Sequence, residues 1–536
     1  MKEKFMSWPI LLRNYLKRDW KKILFWIIGL VLFAGGFIPA FEELSKGQGL
    51  IGMYETMQNP AMISMVGPTP IHNANEYTIG AMYTNEMLLF SGLFAMVISI
   101  LHIVSHTRKE EDLGLSEIIR SFKVGRHANS LALMIEVILI NIIIGILIAL
   151  LMVSFNVPTI NFEGSLLFGF SIAGAGILGA AIALVIAQLV SNSSAANGLS
   201  LSVVGILYIL RASSDISNVN LSMLNPMGWI YLTYPFVKNN WLPIIYIIIF
   251  SFIFILIGFI LESKRDMGSG YFPEFQGRAN AKKSLLSIRG YLLRINRGTI
   301  IAWLVTFTLL GVAYGSIYGD MQTFINSNDM LKEMFSQTGY SIEESFSATI
   351  MMVIVVLIAI LPIVIINKLF VEESRGRLTT IMSTKVSRFN LFWTTIIIAS
   401  IIGAIAILLS AGGLGLTAIS VMKDSDMNLM DFIKAGFNFY PSILFFIALA
   451  SLFLGWLPRH AKVVYIYLGY SFVLNYFGDL VNIPNWLMNT AVHSWIPHIP
   501  VKEFNLIIFL CITIISILMI VIGYLGYKKR DMIESN

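Results

Sequence analysis

The chain contains one charged segment twice, as EEDLGLSEIIRSFKVGR at residues 110–126 and as EESRGRLTTIMSTKVSR at residues 372–388. At an offset of 262 positions the two copies share eight of 17 residues, which is too many for chance. The shared positions are Glu110/Glu372, Glu111/Glu373, Gly114/Gly376, Ile119/Ile381, Ser121/Ser383, Lys123/Lys385, Val124/Val386 and Arg126/Arg388. Apolar residues at a helical spacing follow each acidic pair and predict a short amphipathic helix. We interpret each copy as a surface element that a partner protein holds.

The composition excludes a soluble globular protein. Of 536 residues, 56% are hydrophobic and only 13% are charged, which leaves too little polar surface to cover a soluble fold of this size. The single cysteine, Cys511, lies in an apolar run, so intrachain disulfides and cysteine-ligated metal clusters are excluded. The net charge of +6 is explained by basic loops on one side of a membrane, and we expect no nucleic-acid binding.

Apolar runs of spanning length predict an all-α polytopic membrane protein with about 12 transmembrane helices. The runs lie near residues 23–41, 87–106, 130–153, 165–190, 197–211, 242–261, 299–319, 347–369, 391–415, 442–457, 462–479 and 504–527. Amphipathic stretches at residues 8–20 and 285–297 predict helices that lie in the membrane interface before the first and seventh spans.

The distribution of basic residues predicts the orientation. With the N-terminus inside, 30 of the 37 Lys and Arg residues fall in cytoplasmic segments. Cytoplasmic loops carry the excess of positive charge in membrane proteins. Both termini and both copies of the repeated segment are therefore expected in the cytoplasm.

A second repeat supports an internal duplication. Lys264-Arg265-Asp266-Met267 recurs as Lys529-Arg530-Asp531-Met532 at an offset of 265 positions, each time shortly after an Ile-Gly-aromatic run. Nearly equal offsets at distant places predict two parallel halves, residues 1–270 and 271–536, with six spans each. Halves with an even number of spans enter and leave on the same side, so the repeat axis should follow the membrane normal.

Proline and aromatic residues occur together at the predicted external ends of the last spans of each half. Tryptophan and tyrosine beside proline at the membrane edge are typical of interfacial belts and of broken or re-entrant helices. The residues concerned are Pro226, Gly228, Trp229 and Pro235 in the first half, and Pro484, Trp486, Pro497 and Pro500 in the second.

The repeated segment resembles the loop between the second and third spans of ABC-2 type export permeases. In that family a Glu-Glu pair, an Arg-Gly, a short helix and a closing Val-Ser-Arg form the coupling element. Residues 372–388 match this pattern through Arg375-Gly376 and Val386-Ser387-Arg388, whereas the first copy has Leu113 and Gly125 at two of these positions. Further motifs in order, including Pro226-Met227-Gly228-Trp229 and the run from Lys264 to Gly270, are similar to the duplicated branch known as exporters of polyketide antibiotics.

The resemblance implies a permease in a bacterial cell membrane that exports a hydrophobic or amphipathic compound. It implies two copies of a separate ATP-binding subunit, which would hold the ATP and Mg²⁺. The sequence has no Gly-x-x-x-x-Gly-Lys-Ser/Thr motif, so we expect no cofactor on this chain. The residues implied in coupling to the ATPase are Glu110, Glu111, Gly114, Ile119, Arg126, Glu372, Glu373, Arg375, Gly376, Ile381 and Arg388.

Glu136 is a candidate residue of the transport pathway because it lies inside the third predicted span. A carboxylate there is costly unless it is paired, so it indicates either a cation- or proton-linked site or a hydrogen bond with Asn141 or with a neighbouring helix. His102, His106 and Glu110 share one helical face, but the set lacks a fourth metal ligand and ends at the cytoplasmic edge. We expect no metal site there.

Two other functions remain open from the sequence. A secondary transporter with twelve spans would require several paired charges within the membrane, and Glu136 is the one clear case. A polytopic membrane enzyme would require a cluster of reactive side chains at one membrane level, whereas the seven histidines are dispersed.

Overall fold

The computed structural model describes residues 2–46, 49–58, 60–272, 280–319, 342–422, 427–477 and 484–531. Within these residues every regular element is a helix, as the sequence predicts. The chain forms two compact units, Met1–Gly277 and Arg278–Asn536.

The first unit consists of long apolar helices joined by short ones. Its α-helices are α1 (Trp8–Gly35), α2 (Ile38–Leu44), α3 (Gly49–Gln58), α4 (Pro60–Val66), α5 (Ile79–His106), α6 (Arg108–Asp112), α7 (Leu115–Arg120), α8 (Ala128–Ser154), α9 (Phe162–Leu189), α10 (Ser193–Ser217), α11 (Val219–Ser222), α12 (Gly228–Tyr231) and α13 (Leu242–Lys264). Short 3₁₀ helices lie at Lys2–Phe5 and Ala74–Glu76.

The second unit is built from the same kinds of helix. Its α-helices are α14 (Ile288–Ser316), α15 (Ile342–Ser374), α16 (Arg377–Met382), α17 (Arg388–Val421), α18 (Leu429–Asn438), α19 (Tyr440–Trp456), α20 (Val463–Phe477), α21 (Asn485–Met488) and α22 (Leu506–Lys529). Its 3₁₀ helices are Lys283–Leu286, Ile317–Gly319, Pro458–His460 and Val492–Trp495.

The described residues contain eleven candidate membrane spans, six in the first unit and five in the second. Eleven of the twelve predicted runs therefore correspond to candidate spans in the described part of the chain. The predicted span at residues 462–479 corresponds to α20, which has 15 residues and a length of about 22 Å. A bilayer core is about 30 Å thick, so the described part of this run is too short to cross it alone.

The predicted interfacial helices are not separate elements. Residues 8–20 form the first part of α1, which continues without a break to Gly35. The predicted helix at residues 285–297 is divided instead: its first residues belong to a 3₁₀ helix, and the rest form the start of α14. No proline interrupts α1 or α14 beyond its first turn, so within each helix the backbone hydrogen bonds continue from the amphipathic residues into the span.

Close contact between helices through glycines organises the first unit. Helix α9 packs against α5, α8 and α13. A Cβ atom at Gly169 of α9 would lie 2.1 Å from the carbonyl oxygen of Gly145 in α8, and one at Gly179 would lie 2.8 Å from the Cα atom of Met96 in α5. Small residues at these positions let the backbones touch, as in other membrane helix bundles.

Corresponding helices pair in the two units. In the first unit α1 packs against α8, α5 against α9, and α9 against α13. In the second unit α14 packs against α17, α15 against α19, and α19 against α22. Gly455 of α19 and Gly523 of α22 approach closely, because a Cβ atom at Gly455 would lie 2.1 Å from the carbonyl oxygen of Gly523.

Candidate functional site

The second glutamate of each acidic pair binds the arginine of the Lys-Arg-Asp motif at the end of its own unit. Oε1 of Glu111 accepts a hydrogen bond from Nη2 of Arg265 at 2.7 Å, and its Oε2 accepts one from Nη1 of Arg108 at 2.6 Å. Both carboxylate oxygens of Glu373 accept hydrogen bonds from Arg530, with an Nη2–Oε2 distance of 2.7 Å. Contacts of a guanidinium with two carboxylate oxygens fix orientation as well as distance. The two motifs that the sequence repeats therefore meet in each unit.

The closing arginine of each segment binds the same place through the backbone. Arg126 donates to the carbonyl oxygen of Arg265, which follows the last residue of α13. Arg388 donates to the carbonyl oxygen of Arg530, which follows the last residue of α22. Carbonyl groups at helix C-termini lack partners within the helix and favour positive charge. Each segment is thus fixed at its beginning and at its end to the last long helix of its unit.

The first glutamate of each pair is also buried and bound within the chain. Oε1 of Glu110 accepts a hydrogen bond from Arg18 of α1 at 2.8 Å, and Glu372 accepts hydrogen bonds from Arg377 at 3.2 Å. Both glutamates have 4% of their surface exposed. Glu110 therefore ties the first segment to α1, whereas the contact of Glu372 with Arg377 lies within the second segment. In both copies the surface that is open to a partner lies between the acidic pair and the closing arginine.

That outward surface differs between the two copies. In the first copy Leu113, Ile118 and Phe122 are 62%, 61% and 68% exposed. In the second copy Leu378 is fully buried and Ile381 is half-buried. The first segment consequently presents an apolar surface, whereas the second turns its leucine into the unit's core and presents threonines and arginines.

The turns that begin the short helices are alike. Gly114 precedes α7 with φ +72°, and Gly376 precedes α16 with φ +69°. This left-handed conformation favours glycine because a Cβ atom would be strained. Ile119 is half-buried against the core of its unit, and Arg375 is exposed beside the second turn.

A polar cavity of about 40 Å³ lies between the first segment and the neighbouring ends of α8, α9 and α13. Residues around it include Arg108, Glu111, Ser116, Arg120, Ser130 and Arg265. The positions that correspond to Ser116 and Ser130 in the second unit are Leu378 and Phe392, and both side chains are fully buried. The same place is therefore polar and open in one copy and filled with apolar side chains in the other.

The structure places the candidate pathway residues on the inner face of α8. Oε2 of Glu136 lies 3.1 Å from Nε2 of His102 in α5, and both side chains are at most 1% exposed. Asn141 donates to the hydroxyl of Ser99 at 3.2 Å and to the carbonyl oxygen of Val137 at 2.9 Å. Glu136 and Asn141 do not bind each other. Of the two hydrogen-bond partners that the sequence suggested for Glu136, the structure shows the neighbouring helix, α5.

The histidines near Glu136 form a continuous contact with the first segment. The rings of His102 and His106 have centroids 4.5 Å apart, and Nδ1 of His106 lies 3.1 Å from Oε1 of Glu110. The part of the chain that the structure describes contains no group of three or more acidic, histidine or cysteine side chains suited to a metal ion. The sequence indicated the shared helical face of these residues but not that α8 brings Glu136 to it.

On the predicted external side of the first unit, a buried ion pair accompanies the Pro-Met-Gly-Trp motif. Arg211 and Asp215 of α10 form a contact of 2.9 Å with no exposed side-chain surface. The hydroxyl of Tyr231 donates to Asp215, and Arg211 donates to the carbonyl oxygen of Ser64 at 2.6 Å. This pair was not predicted, because the predicted span ended at Arg211 and left Asp215 outside it, whereas α10 continues to Ser217.

The motif residues themselves are packed tightly in the first unit. Trp229 is 9% exposed and donates from Nε1 to the carbonyl oxygen of Met223 at 2.6 Å. A Cβ atom at Gly228 would lie 2.2 Å from the carbonyl oxygen of Ser222. Pro226 and Pro235 are buried beside them. These residues form a compact corner between α10 and α13.

The corresponding residues of the second unit are more open. Pro484 directly precedes α21, and Trp486 within that helix is 71% exposed. Asn438 donates to the carbonyl oxygen of Pro497, and the peptide bond before Pro500 is cis. The proline and aromatic clusters of the two units thus share composition but not burial.

The fold and the anchored segments define a multi-pass all-α membrane protein with two units of related construction. Among known proteins, the chain is similar to the multidrug efflux system permease protein Rv1217c of Mycobacterium tuberculosis, with 26% identity over 97% of this chain and 94% of that protein. Residues 285–528 match the family model described as the C-terminal domain of multidrug efflux system permease Rv1217c. That match covers most of the second unit, including residues 372–388.

Proposed function

We propose that the chain is the permease subunit of an ATP-driven exporter that moves hydrophobic or amphipathic compounds out of the cell. The similarity to a multidrug efflux permease over 97% of the chain carries this proposal, because it includes both units and both repeated segments. Antibiotics, peptides and lipid-like molecules are the compound classes that suit a bundle of apolar helices. The substrate would enter from the cytoplasm or the inner leaflet.

Coupling to a separate ATP-binding protein is the finer part of the proposal. The resemblance of residues 372–388 to the coupling loop of ABC-2 type permeases supports it. Because the chain has no phosphate-binding Walker motif, ATP and Mg²⁺ would be held by the partner, with one copy bound to each unit. Thirty of the 37 Lys and Arg residues lie in the predicted cytoplasmic segments, and this distribution supports the placement of both repeated segments on the same side as the partner.

The anchoring of the segments gives a physical route for the coupling. A partner that moves on binding ATP must push on an element that does not yield, because a flexible loop would absorb the movement. Arg265 joins Glu111 to the end of α13, and Arg108 joins it to the carbonyl oxygen of Ala187 in α9. A displacement of the first segment is therefore passed to two long helices. Arg530 gives the second segment an equivalent connection to α22.

Co-purification with a co-expressed Walker-motif protein from the same genome tests the proposal. We expect a stable complex with two ATP-binding subunits per chain, and ATP hydrolysis that hydrophobic drugs stimulate in lipid. A Walker-motif lysine variant of the partner should abolish both hydrolysis and efflux. Efflux that survives this variant, together with a chain that purifies without any Walker-motif protein, would contradict an ATP-driven exporter.

A secondary transporter is the second candidate, and the buried contact between His102 and Glu136 favours it. Paired ionisable side chains within spans are typical of transporters that use an ion gradient. The two candidates differ in their energy source. Efflux that stops when an uncoupler removes the proton gradient, while cellular ATP is kept constant, would support the secondary transporter and contradict the exporter.

A further inference from the structure

Glu136 and His102 form an ionisable pair inside the helix bundle of the first unit. Glu136 lies eight residues, or about 12 Å, along α8 from its first residue, and His102 lies about one turn inside the end of α5. Their contacting atoms are 3.1 Å apart, with 0% and 1% of the two side chains exposed. Burial at this depth removes water from both groups.

The remaining polar atoms of the pair have no hydrogen-bond partner among the described residues. These atoms are Oε1 of Glu136 and Nδ1 of His102. The edge of the Trp26 ring system closes one side, with its centroid 5.2 Å from that of His102. A cavity of about 10 Å³ lined by His102, Asn141 and Ser99 lies next to the pair, close to the space that one water molecule requires.

The titratable groups that interact with the pair are Tyr15 and Lys22 of α1 and His106 of α5. Around these lie Arg18, Asp19, Lys109 and Glu110. Arg18 binds Glu110, and Asp19 lies 3.2 Å from Nε2 of His106, so these four groups are paired with one another. Within the described part of the chain, Glu136 forms its ion-pair contact with His102 and with no lysine or arginine.

The charge of the pair depends on one proton. A carboxylate beside a neutral imidazole carries a net charge of −1, which is costly in the membrane interior without a cation in contact. One added proton makes the pair neutral, whether it resides on Oε2 of Glu136 or on Nε2 of His102. Transfer within the pair breaks one O–H bond and forms one N–H bond, and the net charge does not change.

We propose that Glu136 and His102 form a proton-binding site within the membrane, and that the proton enters through His106 and Glu110. The ring of His106 touches that of His102, and Glu110 lies 3.1 Å from Nδ1 of His106. Arg18, beside Glu110, has 48% of its side chain exposed, so this end of the path reaches the surface. The site binds its proton whatever the energy source of transport.

The equivalent positions of the second unit do not repeat this site. The positions that correspond to His102, Glu136 and Asn141 at the offset of 262 are Val364, Ile398 and Gly403. Ile398 is buried in the apolar core of its unit. The proposed proton site is therefore found in the first unit and not at the equivalent positions of the second. Protonation of the pair acts on the first unit alone.

Spectroscopy of the purified chain in lipid nanodiscs tests the site without substrate or partner. The C=O band of a protonated carboxyl group, identified by its shift in D₂O, reports a proton on Glu136. Nitrogen NMR of isotope-labelled histidine detects a proton that resides on His102, because the ring then gives an imidazolium signal. We expect one of these two signals in the wild-type chain near neutral pH and its loss in Glu136→Gln. The control Glu163→Gln, at the opposite and exposed end of α9, should leave it unchanged.

A second variant keeps the test decisive. In His102→Phe no imidazole is present to share the proton, so the bound proton resides on Glu136 alone and the carboxyl band should be present. Deuterium exchange of the band should slow in His106→Phe, because the entry path is interrupted. Indistinguishable spectra of the wild-type chain and Glu136→Gln, or a His102→Phe chain without the band, would overturn the proposal. These readouts need no transport, so they separate this proposal from a failure of the exporter function.

Discussion

The two repeated segments share their anchors and differ in the surface between them. Glu111 and Glu373 bind the arginines of the same repeated motif, and both segments turn through a glycine with positive φ. The first segment exposes Ile118 and lies over a polar cavity, whereas the second buries Leu378 in the equivalent space. The two units therefore hold their segments through the same contacts, but they present different surfaces to a partner.

The largest effect is expected from the loss of the anchoring arginines. Arg530→Ala leaves the carboxylate of Glu373, with 0% of its side chain exposed, without its forked contact. Loss of one partner of a buried ion pair costs about 3–5 kcal/mol. Arg265→Ala should cost less, because Glu111 is 10% exposed and keeps Arg108. Thermal unfolding in detergent measures both variants.

The matched controls are the exposed lysines at the shared position of each segment. Lys123→Ala and Lys385→Ala also remove one positive charge, but they should change the free energy of unfolding by no more than about 0.5 kcal/mol. Equal unfolding temperatures for Arg530→Ala and Lys385→Ala would show that the anchor does not stabilise the second unit.

The next prediction concerns the polar cavity beside Ser116 and the apolar packing of Leu378 at the equivalent place in the second unit. Leu378→Ala removes a fully buried side chain and should destabilise the second unit by about 2–5 kcal/mol. Its counterpart Ser116→Ala removes one hydroxyl beside an open polar cavity and should have an effect within about 0.5 kcal/mol. Denaturant titration of the two variants compares them directly. A cost for Ser116→Ala as large as that for Leu378→Ala would contradict the difference between the copies.

The exposed apolar surface should matter for partner binding rather than for folding. Ile118→Asp places a charge on a surface that the proposed ATP-binding subunit would cover, and an apolar contact residue of this kind contributes about 2 kcal/mol to binding, or about 30-fold in affinity. Thr380→Asp changes the corresponding exposed position of the second segment and should weaken binding less. Affinity for the purified partner measures both. Equal losses of affinity would show that the partner binds both segments in the same way.

The sequence predicted the helical class, because hydrophobic periodicity is a local signal. It also predicted the repeats and the segments, because similar residues recur there at a nearly constant offset. It did not predict the contact between Glu111 and Arg265, since 154 residues separate them and only the fold brings α13 to α6. The pairing of His102 with Glu136 was hidden for the same reason. Eleven of the twelve predicted runs correspond to candidate spans, and the remaining run at residues 462–479 extends beyond the described residues, which end there at Phe477.

The smallest effect is expected at the two glycine turns, where it should be the same in both copies. A Cβ atom at Gly114 or at Gly376 would meet no atom within 4 Å, so alanine at either position brings only the strain of a left-handed backbone. That strain costs about 1–2 kcal/mol. Asparagine tolerates this conformation better, so Gly114→Asn and Gly376→Asn should recover part of the loss. Unfolding temperatures of the four variants measure the effect.

Gly412 provides the matched control for the turns. A Cβ atom at this position would also meet no atom within 4 Å, but Gly412 lies inside α17 with an ordinary helical backbone. Gly412→Ala should therefore be neutral or stabilise by up to about 1 kcal/mol, because alanine favours the helix. A loss at Gly114 without a loss at Gly376 would mean that the two turns differ in the folded protein. The difference between the segments would then begin at the turn, and not at the side chains between Gly114 and Arg126.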